Sequence, residues 1–171
     1  MPAVVYAIGH STRTIDEFIG ILQAHAISIL VDIRTIPKSG HNPQFNKDDL
    51  KRSLEGKCIM YVHFRELGGL RKAKKDSVNT GWKNASFRGF ADYMQTREFS
   101  SAIRKLIRLA KQGQVAIMCA EGNPFRCHRS LVADALTVRK VRVLHISSKI
   151  SVREHALTEF AKVSGTKITY P

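Results

Sequence analysis

The sequence is poor in cysteine, in tryptophan and in long apolar runs, and each shortage excludes something. Three cysteines in 171 residues are an odd number without framework spacing. A chain of this length buries enough surface to need no disulfide scaffold, which suits a reducing compartment. No apolar run reaches the roughly 18 residues that a membrane-spanning helix requires, so no membrane is expected as a partner. The first residues, Met1 to Tyr6, carry no basic segment of the signal-peptide kind, and the expected location is cytoplasmic. Acidic residues are scarce as well, with 14 Asp and Glu against 28 Lys and Arg, for a net charge of +14. Such an excess favours an anionic partner, either a small anionic molecule or nucleic acid. It concentrates between Arg65 and Lys111, where Arg71, Lys72, Lys74, Lys75, Lys83, Arg88, Arg97, Arg104, Lys105 and Arg108 face only Glu66, Asp76, Asp92 and Glu98.

What is present is a regular alternation of short apolar runs and amphipathic segments. Strands are expected over Val4–Ile8, Ile27–Ile33, Cys58–Phe64, Gln114–Cys119 and Val141–Ile146, nearly all apolar, as in strands covered on both faces. Thr14 with Glu17 forms a capping box for a helix carrying Ile15, Phe18, Ile19 and Leu22. Asn46 caps a short helix ended by Gly56, Phe87–Met94 forms another, and Thr96 opens a longer one closed by Gly113. Asn123 followed by Pro124 predicts a helix running to about Val138. A second capping box, Ser151 with Glu154, predicts a last helix through Leu157 and Phe160 to Gly165. Residues 35–43 and 65–86 read as loops. The pattern is that of one α/β domain over residues 1–171, a mainly parallel sheet of about five strands with helices on both faces. Ligands of such sheets sit beyond the C-terminal strand ends. There the sequence places His10 and Ser11, Asp32 and Arg34, and Cys119 and Glu121.

The segment Cys119 to Arg129 is the strongest candidate site. A strand delivers Cys119, a short loop turns, and the helix expected at Pro124 offers free N–H groups that attract anions. Arg126, His128 and Arg129 fall in its first turns. A thiol near a helix N-terminus and arginines ionises more easily and becomes a better nucleophile; the alternative is a buried strand-end cysteine serving only the core. The segment resembles the thiol-nucleophile loops of rhodaneses and cysteine phosphatases, with one residue more between Cys119 and Arg126 than the phosphatase loop has, and with Glu121 inside it. Asp32 reads as a general base, a metal or ribose ligand, or the carboxylate that fixes Arg34. His10 reads as a proton shuttle or a loop cap. Glu121 and His128 complete the acid–base candidates, and Ser11, Arg34, Arg71, Arg126 and Arg129 the anion binders. Cys119, Cys127, His128 and His10 are zinc-ligand types, but without Cys-x-x-Cys or clean His spacing no metal or other cofactor is expected. Trp82, Phe87 and Phe90, interleaved with Lys and Arg, either stack bases or plug the core.

Several motifs, in order, carry a family resemblance: Ile8-Gly9-His10-Ser11, Val31-Asp32-Ile33-Arg34, Pro43-x-Phe45, Leu67-Gly68-Gly69-x-Arg71, Phe87-Arg88-Gly89-Phe90-Ala91-x-Tyr93-Met94, Met118-Cys119-Ala120-Glu121, Cys127-His128-Arg129-Ser130 and His145-Ile146. In these the chain resembles a family of uncharacterised proteins called domain of unknown function four-eight-eight. The resemblance implies an α/β domain whose polar motifs meet in one composite site, and no substrate. Two functional expectations follow from the residues. One is a thiol-dependent hydrolase or transferase acting on a phosphate-bearing substrate, nucleotide or nucleic acid. The other is a non-catalytic nucleic-acid-binding module using the basic 65–111 region.

Overall fold

A computed structural model describes residues 3–171. Its centre is a six-stranded sheet built from β1 (Val4–Gly9), β2 (Ile29–Asp32), β3 (Met60–His63), β4 (Val115–Cys119), β5 (Arg142–Ile146) and β6 (Val152–Glu154), in the order β3-β2-β4-β1-β5-β6. The first five strands are parallel and β6 runs antiparallel to β5. A small hairpin of β7 (Lys162–Ser164) and β8 (Lys167–Thr169) stands apart from it.

Both faces of the sheet are covered, and the period of two in each strand decides what goes where. Val115, Ile117 and Cys119 of β4 point into one core, with Phe90, Phe99, Ile103 and Leu131. That core is roofed by α3 (Ala85–Tyr93), α4 (Arg97–Gln112) and α5 (Arg129–Thr137). Ala116 and Met118 point the other way, toward Phe18, Leu22, Leu50 and Leu54, which belong to α1 (Ile15–Ala24) and α2 (Lys47–Glu55). Thr14 and Thr96 accept from the N–H groups of Glu17 and Phe99, so the caps of α1 and α4 form as their sequences require.

β1 and β4 lie side by side, yet the chain leaves them in opposite directions, from β1 toward β2 and from β4 toward β5. Such a reversal leaves a crevice at the C-terminal strand ends. Here the two loops are stitched together: His10 N–H donates to the Cys119 carbonyl at 2.8 Å and Ser11 N–H to the Ala120 carbonyl at 2.9 Å. Ser11 takes a left-handed φ of 52° to do so.

Three expectations are corrected. The helix expected over 151–165 does not form. Val152–Glu154 pairs with β5 instead, and Glu154 spends its carboxylate on Arg142 across the strands, at 2.9 Å, rather than on a cap. The helix expected from Pro124 is a 3₁₀ turn, Pro124–Arg126, and α5 begins only at Arg129. Asn123 does cap the turn, accepting from Phe125 N–H at 2.9 Å. Finally, α3 begins at Ala85, two residues earlier than the apolar pattern indicates, because Asn84 caps it.

Candidate functional site

Cys119 ends the central strand with its side chain on the α5 face, and it is 3% exposed. Three groups surround its sulfur. The Cys127 sulfur lies 2.6 Å away and the Arg129 Nη1 also 2.6 Å, while the Glu121 carbonyl is 3.7 Å off. Arg129 is 1% exposed. Its remaining bonds go to the carbonyls of Glu121 at 2.7 Å and Gly122 at 3.3 Å. Among the described residues no carboxylate lies within ion-pair distance of it. A buried guanidinium without a counter-charge is costly, and the one group in contact that can become an anion is the Cys119 thiol. Burial pushes that thiol up, but the hydrogen bond with Cys127 and the charge of Arg129 outweigh it and bring it down from 9.0 to about 7. The same hydrogen bond, with burial, raises Cys127, so the two sulfurs share one hydrogen between them.

His128 covers the pair. Its Nε2 donates to the Ile33 carbonyl at 2.9 Å, which leaves Nδ1 as an acceptor 3.5 Å from the Cys127 sulfur. Burial is the main reason that the ring is held at about 4 and stays neutral. Gly69 lies against this ring, and a Cβ there would come within 2.6 Å of Nδ1.

A cavity of about 350 Å³ opens above the sulfur. Leu70, Phe87 and Ile36 supply apolar wall, and Lys38, Arg34, Arg126 and Glu121 the charges. Lys38 and Arg126 are exposed, and neither forms an ion pair among the described residues. The arginine in contact with the sulfur is thus Arg129, while Arg126 reaches the open mouth.

Other candidates sit elsewhere. Asp32 and His10 point to the opposite face of the sheet. Asp32 is fully buried and binds Arg34 through both oxygens, at 2.9 and 2.7 Å, and accepts from the Tyr61 hydroxyl at 2.6 Å. Of its readings, the structure provides the geometry of the carboxylate that fixes Arg34. His10 stacks on Phe45, donates from Nδ1 to the Ser11 carbonyl at 2.8 Å and meets Arg34 Nη1 at 3.5 Å. Burial lowers it to about 4. Arg71 lies outside the cavity, with its guanidinium carbon 3.6 Å from the Tyr93 ring centroid and its donors on the carbonyls of Arg65, Glu66 and Gly68. It orders the turn that presents Gly69 and Leu70. Trp82 packs edge-on against Phe87 and Phe160, and Phe90 is fully buried, so Trp82 and Phe90 plug the core, whereas Phe87 also reaches the cavity. Among the described residues no group of three or more His, Cys, Asp and Glu is arranged to hold a metal ion, and no helix is long and apolar enough to cross a membrane.

Sequence reasoning missed a second polar centre on the other side of Arg129. Asp134, fully buried on α5, accepts from His155 Nε2 at 2.8 Å, from the Thr158 hydroxyl at 2.7 Å and from the Tyr170 hydroxyl at 2.8 Å. Its signal was a carboxylate set among Leu131, Ala135 and Leu136 on a helix that is buried all round.

Fold and site together define an α/β protein with a strand-end thiol held by a buried arginine. The profile described as "Domain of unknown function DUF488" matches residues 14–136, and the chain belongs to that family. Neither the curated proteins nor the solved structures gave a match.

Proposed function

We propose that the protein is a thiol-dependent enzyme of phosphate-bearing substrates, with Cys119 as nucleophile. The observation that carries this reading is the contact at 2.6 Å between the Cys119 sulfur and Arg129, a buried arginine with no carboxylate partner. A cation placed there makes a nucleophile of a thiol that burial would otherwise keep protonated. A phosphate ester enters the cavity with its anionic oxygens toward Lys38 and Arg126. The thiolate attacks phosphorus, the S–P bond forms, the P–O bond to the leaving group breaks, and the leaving oxygen departs with the bonding pair and takes a proton from solvent. Water then attacks phosphorus, Glu121 takes its proton and passes it to solvent, the S–P bond breaks, and phosphate and thiolate are restored. Asp32 and His10 act through Arg34, by holding it at the cavity wall. The test is turnover of an aryl phosphate. The wild-type protein should release the phenol and Cys119→Ser should not, with a phosphoryl group trapped on Cys119 in mass spectra of the quenched reaction. Equal turnover by a folded Cys119→Ser protein, or no turnover by the wild type, counts against it.

A second reading rests on Lys72, Lys74 and Lys75, which are exposed and without ion pairs among the described residues. In this reading the basic region binds nucleic acid through its phosphates. Log affinity should then fall with log salt by about 0.7 to 0.9 per contact, and neutralising the three lysines should flatten the slope by roughly 2 to 3. Binding indifferent to salt and to the triple change removes this reading.

A further inference from the structure

A second cavity, also of about 350 Å³, lies on the far side of Arg129, between the turn at Pro124 and the β5–β6 edge. The nucleophile has no part in it. Two buried atoms without a protein partner belong to its wall residues: His145 Nδ1 and Arg129 Nε. Leaving a buried donor or acceptor unpaired costs about 1–3 kcal/mol, and such groups are rare enough in folded proteins to require a reason.

The hydrogen bonds behind His145 fix what it offers. The Asp134 carboxylate accepts from His155 Nε2–H at 2.8 Å. In the arrangement in which His155 carries its one ring proton on Nε2, its Nδ1 accepts from His145 Nε2–H at 2.8 Å. In that arrangement His145 Nδ1, which has no protein partner, is a bare lone pair, an acceptor held in place by a chain that ends on a buried carboxylate. Burial, with His155 and Arg129 close by, disfavours protonating it. Arg129 Nε is the opposite, an N–H donor with a full charge behind it. The cavity thus asks for a protic group and an anionic oxygen. Arg153, exposed on its wall, adds a second cation, while Glu154 is already committed to Arg142. Phe125, 61% exposed, and Pro124 add an apolar surface on which a ring can lie.

We propose that this second cavity is a binding site for a hydroxylated phosphate ester with an aromatic part, of the nucleotide class. A ligand hydroxyl donates to His145 Nδ1, the phosphate accepts from the Arg129 edge and from Arg153, and the base lies over Phe125. Arg129 lines this cavity and also touches the Cys119 sulfur, so occupancy at one end of the guanidinium is felt by the thiol at the other. It takes a different group of the ligand and stands whether or not Cys119 is a nucleophile.

The experiment is isothermal titration of the whole chain with adenosine monophosphate, adenosine and inorganic phosphate in turn. The monophosphate should bind saturably and more tightly than either part. His145→Ala should weaken it about tenfold, the loss of one buried hydrogen bond. Arg153→Gln and Phe125→Ala, both at exposed positions that cannot unfold the chain, should weaken it as well and keep the test sound if His145→Ala does not fold. Lys51→Gln, exposed on α2 and outside both cavities, should leave it unchanged. Absence of saturable binding overturns the proposal, as does binding that ignores Arg153→Gln and Phe125→Ala. Phosphate bound as tightly as the monophosphate shows an oxyanion site with no place for a nucleoside and also overturns it. Binding lost in Lys38→Gln but kept in His145→Ala and Arg153→Gln places the ligand in the first cavity and overturns it too.

Discussion

At the residue scale, the site depends on atoms that sit closer together than a side chain allows. Gly9, the last residue of β1, is an example. A Cβ there would lie 1.8 Å from the Glu121 carbonyl oxygen and 2.5 Å from its carbon, both backbone atoms. The requirement is therefore for space rather than for an unusual φ. That Glu121 carbonyl also accepts from Arg129, so displacing it disturbs the arginine that faces the thiol. Gly9→Ala should cost about 2 kcal/mol or more through overpacking, measured by denaturant unfolding, and should slow Cys119 alkylation even where the protein remains folded. A variant with unchanged stability and unchanged alkylation would show that the loop relaxes freely and that the close approach does not position the site.

At the element scale, the C-terminal segment is held less by its own conformational preferences than by one carboxylate. Asp134 on α5 ties down His155, Thr158 and Tyr170, residues that follow the sheet's last strand. Asp134→Ala removes one partner from several buried groups and should cost roughly 3–5 kcal/mol. Amide exchange should then rise first in residues 152–171, ahead of β1 and β4. Uniform exchange across the chain would mean that the segment is secured in another way. This carboxylate also explains what the sequence left illegible. The capping box at Ser151 and Glu154 is a sound local signal, but Glu154 meets Arg142 and His155 meets Asp134, contacts that no window of neighbouring residues contains. The five parallel strands, by contrast, were legible as short apolar runs; β2 and β4 are buried throughout, whereas β3, at the sheet edge, keeps Met60 exposed. Cys119, Glu121, Arg126 and His128 were found at the cavity because β4 delivers them there. The separation of Asp32 and His10 from the sulfur follows from strand parity, which sets Asp32 with Leu30 and opposite to Val31 and Ile33. Arg129 was legible as a residue but not as the sulfur's partner, since that depends on α5 starting at Arg129 rather than at Pro124.

At the scale of the whole molecule, buried neutral histidines and a depressed thiol make stability depend on pH in a set direction. His10 and His128 are held at about 4 and His145 at about 3, below the ordinary 6.5. As pH falls from 6.5 toward 4 the unfolded chain takes up protons that the folded chain refuses, so folding stability falls. Cys119, at about 7 rather than 9.0, acts in the same sense higher up. Between pH 7 and 9 the folded chain has released a proton that the unfolded one keeps, and stability rises with pH. Unfolding midpoints should therefore be higher at pH 8 than at pH 5, a trend that His128→Phe should weaken below pH 6.5 and Cys119→Ala above pH 7. A flat profile, or a maximum near pH 5, would mean that these rings and this thiol titrate as they do in the unfolded chain.

The central claim is that the hydrogen bond with Cys127 and a buried arginine without a carboxylate together hold Cys119 as a thiolate. The most direct measurement is a titration of the Cys119 Cβ carbon-13 chemical shift against pH, which reads ionisation itself rather than a rate of reaction. It is made in the wild type and in Arg129→Met, a change of similar shape that removes the charge and tends to spare the fold. The wild-type thiol should titrate near pH 7, and the Arg129→Met thiol distinctly higher, because the hydrogen bond with Cys127 then opposes burial without the charge of the arginine. A wild-type midpoint at or above the ordinary value of about 8.5, or a midpoint that Arg129→Met leaves in place, would contradict the account.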